Sequence, residues 1–304
     1  MMTIPFRHAC IVVVSIVLVA LALYAPAGRA ENAAEPWSAM GHTAFRHQTE
    51  TAFSFGTVFA QDKTGFIWLG TQNGLVRWDG MRMRRYVSDA IVPGALPDSY
   101  ILSLLVDGAG RLWVGTSSGG LARYDPAHDA FVTIGAGAGA LSHARATALA
   151  DDGNGGIWVG TAGGLERIGA DGRVHAATSG APQIAATALP KGGVATLLRD
   201  RDGMLWIGTR QGLFQRANDR LPVEAVALVA PGAPEPAITS LYQDGAGRVW
   251  IGTRAHGAFA LDAQARPQPV LAADGKPAVQ GYPIFAIVEK APGILWFGLS
   301  LIHI

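Results

Sequence analysis

Gly110-Arg111-Leu112-Trp113-Val114-Gly115-Thr116-Ser117-Ser118-Gly119-Gly120-Leu121-Ala122-Arg123-Tyr124-Asp125 decides the fold of this chain. Ahead of it, Ile101 to Val106 is an apolar run of strand length, ended by Asp107-Gly108-Ala109-Gly110. Asp and Gly there suit a tight hairpin turn, since glycine accepts positive φ and aspartate can bond its own backbone. Arg111 to Thr116 reads as a second strand, and Ser117 to Gly120 as another turn. Leu121 to Asp125 alternates apolar and polar residues as a half-buried third strand does. Phe131 to Ile134 makes a fourth.

The phrase Gly-x-x-Trp-x-Gly within it occurs six times, at Trp68, Trp113, Trp158, Trp206, Trp250 and Trp296, spaced by 45, 45, 48, 44 and 46 residues. A period of that size marks a repeat architecture. An Asp stands six positions before the first five tryptophans (Asp62, Asp107, Asp152, Asp200, Asp244), and Lys290 takes that place in the sixth unit. Four antiparallel strands per unit predict an all-β chain, a β-propeller of four-stranded blades. A ligand-stacking Trp need not recur at one fixed place, so the tryptophans are expected to pack between neighbouring blades. The Gly two positions on is expected to admit a close neighbour, and the Asp to act as a turn residue. Repeated acidic turns can bind calcium, but no dense Asp-x-Asp-x-Asp loop is present, so no metal site is expected.

The 304 residues are 49% hydrophobic with 39 Gly and 17 Pro, ample for a large core with many turns. Residues 1–30 read as a secretory signal: Arg7 and His8 precede the apolar stretch Ile11 to Leu23, and Gly28-Arg29-Ala30 offers a cleavage site. An uncleaved anchor is the alternative. Without Arg7 and Arg29, 22 basic side chains face 23 acidic ones, which argues against nucleic acid. Arg77, Arg82, Arg84 and Arg85 form a local basic cluster, read as a solvated strand face. The single cysteine, Cys10, lies in the leader, so residues 31–304 hold neither disulfide nor thiol. Residues 31–41 are a lead-in, and 42–298 carry the repeats.

No His-Glu-x-x-His, Cys-x-x-Cys or Gly-x-Ser-x-Gly occurs. Gly135 to Gly139 lacks the following helix and Lys of a phosphate loop. No catalytic residue and no cofactor is therefore assigned.

The units Phe66-Ile67-Trp68-Leu69-Gly70-Thr71-Gln72-Asn73-Gly74-Leu75-Val76-Arg77-Trp78-Asp79-Gly80 and Gly110 to Asp125 resemble the two-component regulator propeller repeat. That resemblance implies the extracytoplasmic sensor half of a bacterial signalling protein, a histidine kinase or a diguanylate cyclase, in the periplasm and anchored in the inner membrane as a dimer. It implies a small-molecule or carbohydrate ligand, and it transfers no binding residue.

Such arrays usually hold more repeats than six. Thr43 to His47 is expected to be an outermost fourth strand, ahead of five complete blades, a partial sixth and an open, aggregation-prone arc. Leu299 stands where Thr should follow Gly298, and residues 299–304 are read as a non-native tail. A ligand is expected at the loops joining successive blades: Val92 to Tyr100, Gly135 to Arg145, Thr178 to Gly193 and Val229 to Pro236. Tyr100, His143 and Arg145 are the candidate binding residues. Two other classes stay open: a secreted propeller enzyme, such as a quinone-dependent dehydrogenase or polysaccharide lyase, and a binding scaffold for envelope assembly.

Overall fold

The computed structural model describes residues 56–137, 140–176, 189, 193–217, 221–273 and 275–299. All lie in one compact unit, Ala52–Ile304. The leader, the strand expected over Thr43 to His47, and residues 300–304 fall outside the described set.

Among the described residues every regular element is a strand. The first sheet is β1 (Gly56–Gln61), β2 (Ile67–Thr71), β3 (Gly74–Trp78) and β4 (Met83–Tyr86). The second is β5 (Ile101–Val106), β6 (Leu112–Thr116), β7 (Leu121–Asp125) and β8 (Ala130–Ile134). The third is β9 (Ala146–Asp151), β10 (Ile157–Thr161), β11 (Leu165–Ile168) and β12 (Val174–Ala176). The fourth is β13 (Val194–Arg199), β14 (Leu205–Thr209), β15 (Gly212–Arg216) and β16 (Glu224–Val226). The fifth is β17 (Ile238–Gln243), β18 (Val249–Thr253), β19 (Ala258–Leu261) and β20 (Pro267–Pro269). A two-stranded sheet, β21 (Ile284–Ala291) and β22 (Ile294–Leu299), ends the series, with Leu299 paired to Ile284.

Each sheet is an antiparallel meander in chain order. Successive first strands pack side by side, from β1 on β5 through to β17 on β21. β1 and β21 are not among the packed pairs, so the described sheets form an unclosed propeller of five full blades and a partial sixth.

The repeated phrase explains the spacing of the sheets. Trp68 is 1% exposed and clusters with Ile101, Leu112 and Val114 of the next sheet. Trp113, Trp158 and Trp206 repeat this against the third, fourth and fifth sheets. The last tryptophan, Trp296, has no following sheet beside it among the described residues and is 52% exposed. The Gly two positions on admits the neighbour: a Cβ on Gly208 would stand 2.7 Å from Ile238 Cγ2, and one on Gly252 2.8 Å from Ile284 Cγ2.

The repeated Asp is a turn residue, as expected, and also a clasp. One Asp107 oxygen accepts the Arg111 amide at 2.9 Å, and the other accepts Trp113 Nε1 at 2.8 Å. Asp62, Asp200 and Asp244 hold Trp68, Trp206 and Trp250 in the same way at 2.7, 2.8 and 2.8 Å. The glycine closing each turn, Gly110 among them at φ 85, has the positive φ that excludes a side chain. Burial alone would raise the pKa of Asp107. The Trp113 and Arg111 donors and the Arg111 charge outweigh it and hold the pKa below the ordinary value.

A group depressed in this way contributes stability above its unfolded pKa and loses it as pH falls through the folded value. Asp107→Ala is therefore expected to cost about 1–3 kcal/mol at pH 7, from the orphaned donors. The gap to the wild type should narrow below about pH 4, as urea midpoints at pH 7 and pH 3 would measure. A gap independent of pH would contradict the clasp.

Each first strand also has a bulge near its start, at Gly56/Val58, Ile101/Ser103, Val194/Thr196, Ile238/Ser240 and Ile284/Ala286, with its counterpart opposite Gly160/Thr161. Hydroxyls at these bulges reach the first carbonyl of the next sheet. Thr57 donates to Ile101 O at 2.8 Å, Thr147 to Val194 O at 2.5 Å and Thr239 to Ile284 O at 2.6 Å. The bulge turns an unpaired residue toward its neighbour.

The basic cluster departs from expectation. Arg77 Nη1 donates to Tyr124 Oη at 2.9 Å, and Arg84 pairs with Asp129. Asp129 also accepts Tyr86 and Tyr124 hydroxyls at 2.7 and 2.6 Å. The turn between β7 and β8 brings this carboxylate against the first sheet, so Arg77 and Arg84 join sheets instead of facing only solvent. Burial, followed by the bond to Asp129, pushes the Tyr86 phenol far above its ordinary pKa.

Candidate functional site

The meander puts two kinds of connection at opposite ends of each sheet. One end carries the hairpins between first and second and between third and fourth strands. The other carries the links between sheets, with the candidate residues. The first two links are each anchored by a leucine: Leu96 is 2% exposed, and Leu141, five residues before β9 as Leu96 is before β5, is 0% exposed. Most of the Thr178 to Gly193 link lies outside the described residues.

Tyr100 and Arg145 each immediately precede a first strand, so they hold equivalent positions in adjacent sheets. Both are exposed, as is His143. The Tyr100 backbone is fixed on both sides: its amide donates to Asp98 Oδ1 at 3.1 Å, and its carbonyl accepts the Ser117 amide at 2.9 Å. Asp98 Oδ2 in turn accepts the Ser118 amide and hydroxyl at 2.8 and 2.9 Å.

In the next link the Arg145 amide donates to His143 Nδ1 at 3.0 Å. That bond assigns the neutral ring proton to Nε2 and leaves it as a donor. The structure thus joins His143 and Arg145 in one link and sets Tyr100 one sheet away. Each is exposed, one a phenol, one an imidazole donor and one a guanidinium.

Glu166 was missed by sequence reasoning. It is 3% exposed, beneath the link that carries His143. Its carboxylate accepts the Ser142 amide at 3.1 Å, the Ser142 hydroxyl, and Thr161 Oγ1 at 3.3 Å. A buried carboxylate held by hydroxyls and an amide fixes the residue just before His143. The signal was available: after the Gly-Leu pair, Val76, Ala122 and Phe214 are apolar, while the third unit has Glu166. Among the described residues no group of three or more His, Cys, Asp and Glu could hold a metal ion.

The family model described as two component regulator propeller matches residues 95–118, 188–211 and 232–255. These matches start in links and end just past the Trp-x-Gly-Thr strands. Three of the six units, those of Trp113, Trp206 and Trp250, thus match the two-component regulator propeller repeat.

Among solved structures it is similar to the extracellular domain of the hybrid two-component system BT3049 from B. thetaiotaomicron, at 23% identity and TM-score 0.65, over 81% of this chain and 32% of that one. The corresponding domain of BT4673 from the same organism gives 20% and 0.60, over 82% and 31%. PorZ of Porphyromonas gingivalis, a surface component of the type-IX secretion system, gives 17% and 0.56, over 79% and 36%. The chain thus spans about a third of the length of the structures it resembles. No curated protein matches it in sequence.

Proposed function

We propose that these repeats are the extracytoplasmic ligand-sensing propeller of a membrane-bound bacterial signalling protein. The observation that carries this reading is the match of three units to the two-component regulator propeller, with a fold like that of extracellular domains of hybrid two-component systems. In this reading residues 1–30 direct export to the periplasm. The whole protein sits in the inner membrane as a dimer, and its output module is a histidine kinase or a diguanylate cyclase. A small molecule or carbohydrate binds at the links between sheets, where Tyr100, His143 and Arg145 present donors and Glu166 holds the loop. Binding acts by favouring one arrangement of propeller and membrane segment over another. The propeller itself performs no catalysis and holds no cofactor.

The test is to read the native locus past codon 304 and express the full reading frame in membrane vesicles. A membrane segment followed by a kinase or cyclase module is expected, with phosphotransfer or cyclic dinucleotide synthesis responding to a carbohydrate panel. His143→Ala and Arg145→Ala should blunt that response. A reading frame without an output module would overturn the signalling role. The likeness to PorZ makes an envelope scaffold the second reading, and that outcome would select it.

A further inference from the structure

The interface between the third and fourth sheets is built differently from its neighbours. At the hairpin end, sheets one and two are laced by Lys63 Nζ donating to Gly108 O at 2.5 Å. Sheets two and three are laced by the Gly108 amide to Asp151 and by Arg111 Nη2 to Gly155 O at 2.7 Å. Sheets four and five are laced by Arg201 to Gln243 and to Gly245 O, both at 3.0 Å. Between sheets three and four Arg199 instead lies across the facing turn, where a Cβ on Gly153 would stand 2.6 Å from its Cζ. Here the hairpin ends leave a cleft of about 90 Å³ lined by Asp152, Trp158, Arg167, Arg199 and Arg216.

Two exchanges in the repeat create it. The position that covers the preceding tryptophan is Tyr124 on Trp68, Ile168 by Trp113 and Leu261 by Trp206. In the fourth sheet it is Arg216, 6% exposed, with its guanidinium carbon 5.2 Å from the Trp158 ring centroid. Asp152, which by its place in the repeat should clasp Trp158, instead accepts Arg167 Nε at 2.7 Å. Arg199 makes no hydrogen bond or ion pair among the described residues.

We propose that this cleft binds an oxyanion, the carboxylate or phosphate group of a small ligand. Three of the lining side chains are guanidiniums and one is a carboxylate, which Arg167 holds, so Arg199, without a partner among the described residues, supplies the charge that selects an anion over a metal cation. Arginine's planar fork matches the paired oxygens of both groups. The space fits one such group and is well short of the ~300–1,000 Å³ of a pocket for a whole drug-sized molecule. The site lies at the end opposite Tyr100, His143 and Arg145, and it stands whether or not those residues bind a ligand.

The test is isothermal titration of the purified chain at fixed ionic strength with inorganic phosphate, sodium glucuronate and glucose. Saturable binding of phosphate or glucuronate is expected, with none of glucose. Phosphate alone would assign a tetrahedral anion, and glucuronate alone a carboxylate. Arg199→Ala should weaken binding at least tenfold with the circular dichroism spectrum unchanged. Arg199→Gln, which keeps the side-chain stem, repeats the test should the alanine variant lose its fold. Absence of binding by either anion, or equal affinity in the Arg199 variant, overturns the proposal.

Discussion

Trp206→Ala is expected to be among the most damaging single changes in the chain, while the same change at Trp296 is nearly silent. Trp206 is 2% exposed and packs on Ile238, Val249, Ile251 and Phe259 of the next sheet. Its loss removes that contact, leaves a cavity and strips Asp200 of its 2.8 Å partner. Core Trp→Ala substitutions cost about 3–5 kcal/mol. Trp296 is 52% exposed, and its removal should cost under about 1 kcal/mol. In a repeat array the damage falls on adjacent units. Hydrogen exchange should therefore show lost protection in β14, β17 and β18, with β1 to β8 little changed. Equal costs at the two tryptophans would refute the view that each ring serves the sheet after it.

A second large effect is expected from a single methyl group. On Gly115 a Cβ would collide with Ser103 Oγ and stand 2.6 Å from Ala146 O. The serine hydroxyl can rotate away. The carbonyl cannot, because it belongs to the backbone that opens β9 and already accepts the Ser103 hydroxyl at 3.2 Å. Gly115→Ala must therefore push sheets two and three apart, at about 1–3 kcal/mol for an overpacked interface. At Gly298 the nearest atom to an added Cβ is Ala286 Cβ at 3.2 Å, within the same sheet. Gly298→Ala should be close to neutral. Denaturant midpoints of the two variants decide the matter, and a Gly115→Ala protein as stable as wild type would remove the glycine from the packing argument.

The fold was legible because the same residues recur in register. Ile101–Val106, Leu121–Asp125 and the Trp113 strand lie where the alternation and turn residues put them. A buried ring between sheets follows from repetition alone, since one fixed position in every unit serves architecture. What the pattern could not give is which atoms meet across an interface. The indole clasp of Asp107, the hydroxyls at the bulges and the pairing of Arg84 with Asp129 all depend on three-dimensional approach between residues in different strands or sheets.

The site was less legible for a related reason. Tyr100, His143 and Arg145 stand out in the sequence only by their chemistry and their place in links, and the register puts Tyr100 and Arg145 in equivalent positions. Glu166 and Arg216 were visible as departures from the repeat, a carboxylate and a guanidinium where other units carry apolar or aromatic side chains.

The contact between the second-strand glycine of each full blade and the start of the following sheet has an evolutionary consequence. Gly70 meets Ile101, Gly208 meets Ile238 and Gly252 meets Ile284, so these joints are cut to one template. A whole unit removed from such a series, or duplicated within it, would present its flanks with surfaces they already fit. The number of units can then drift by unequal recombination at little energetic cost. The joint carrying Arg216 breaks that interchangeability and marks one fixed address in an otherwise extensible chain.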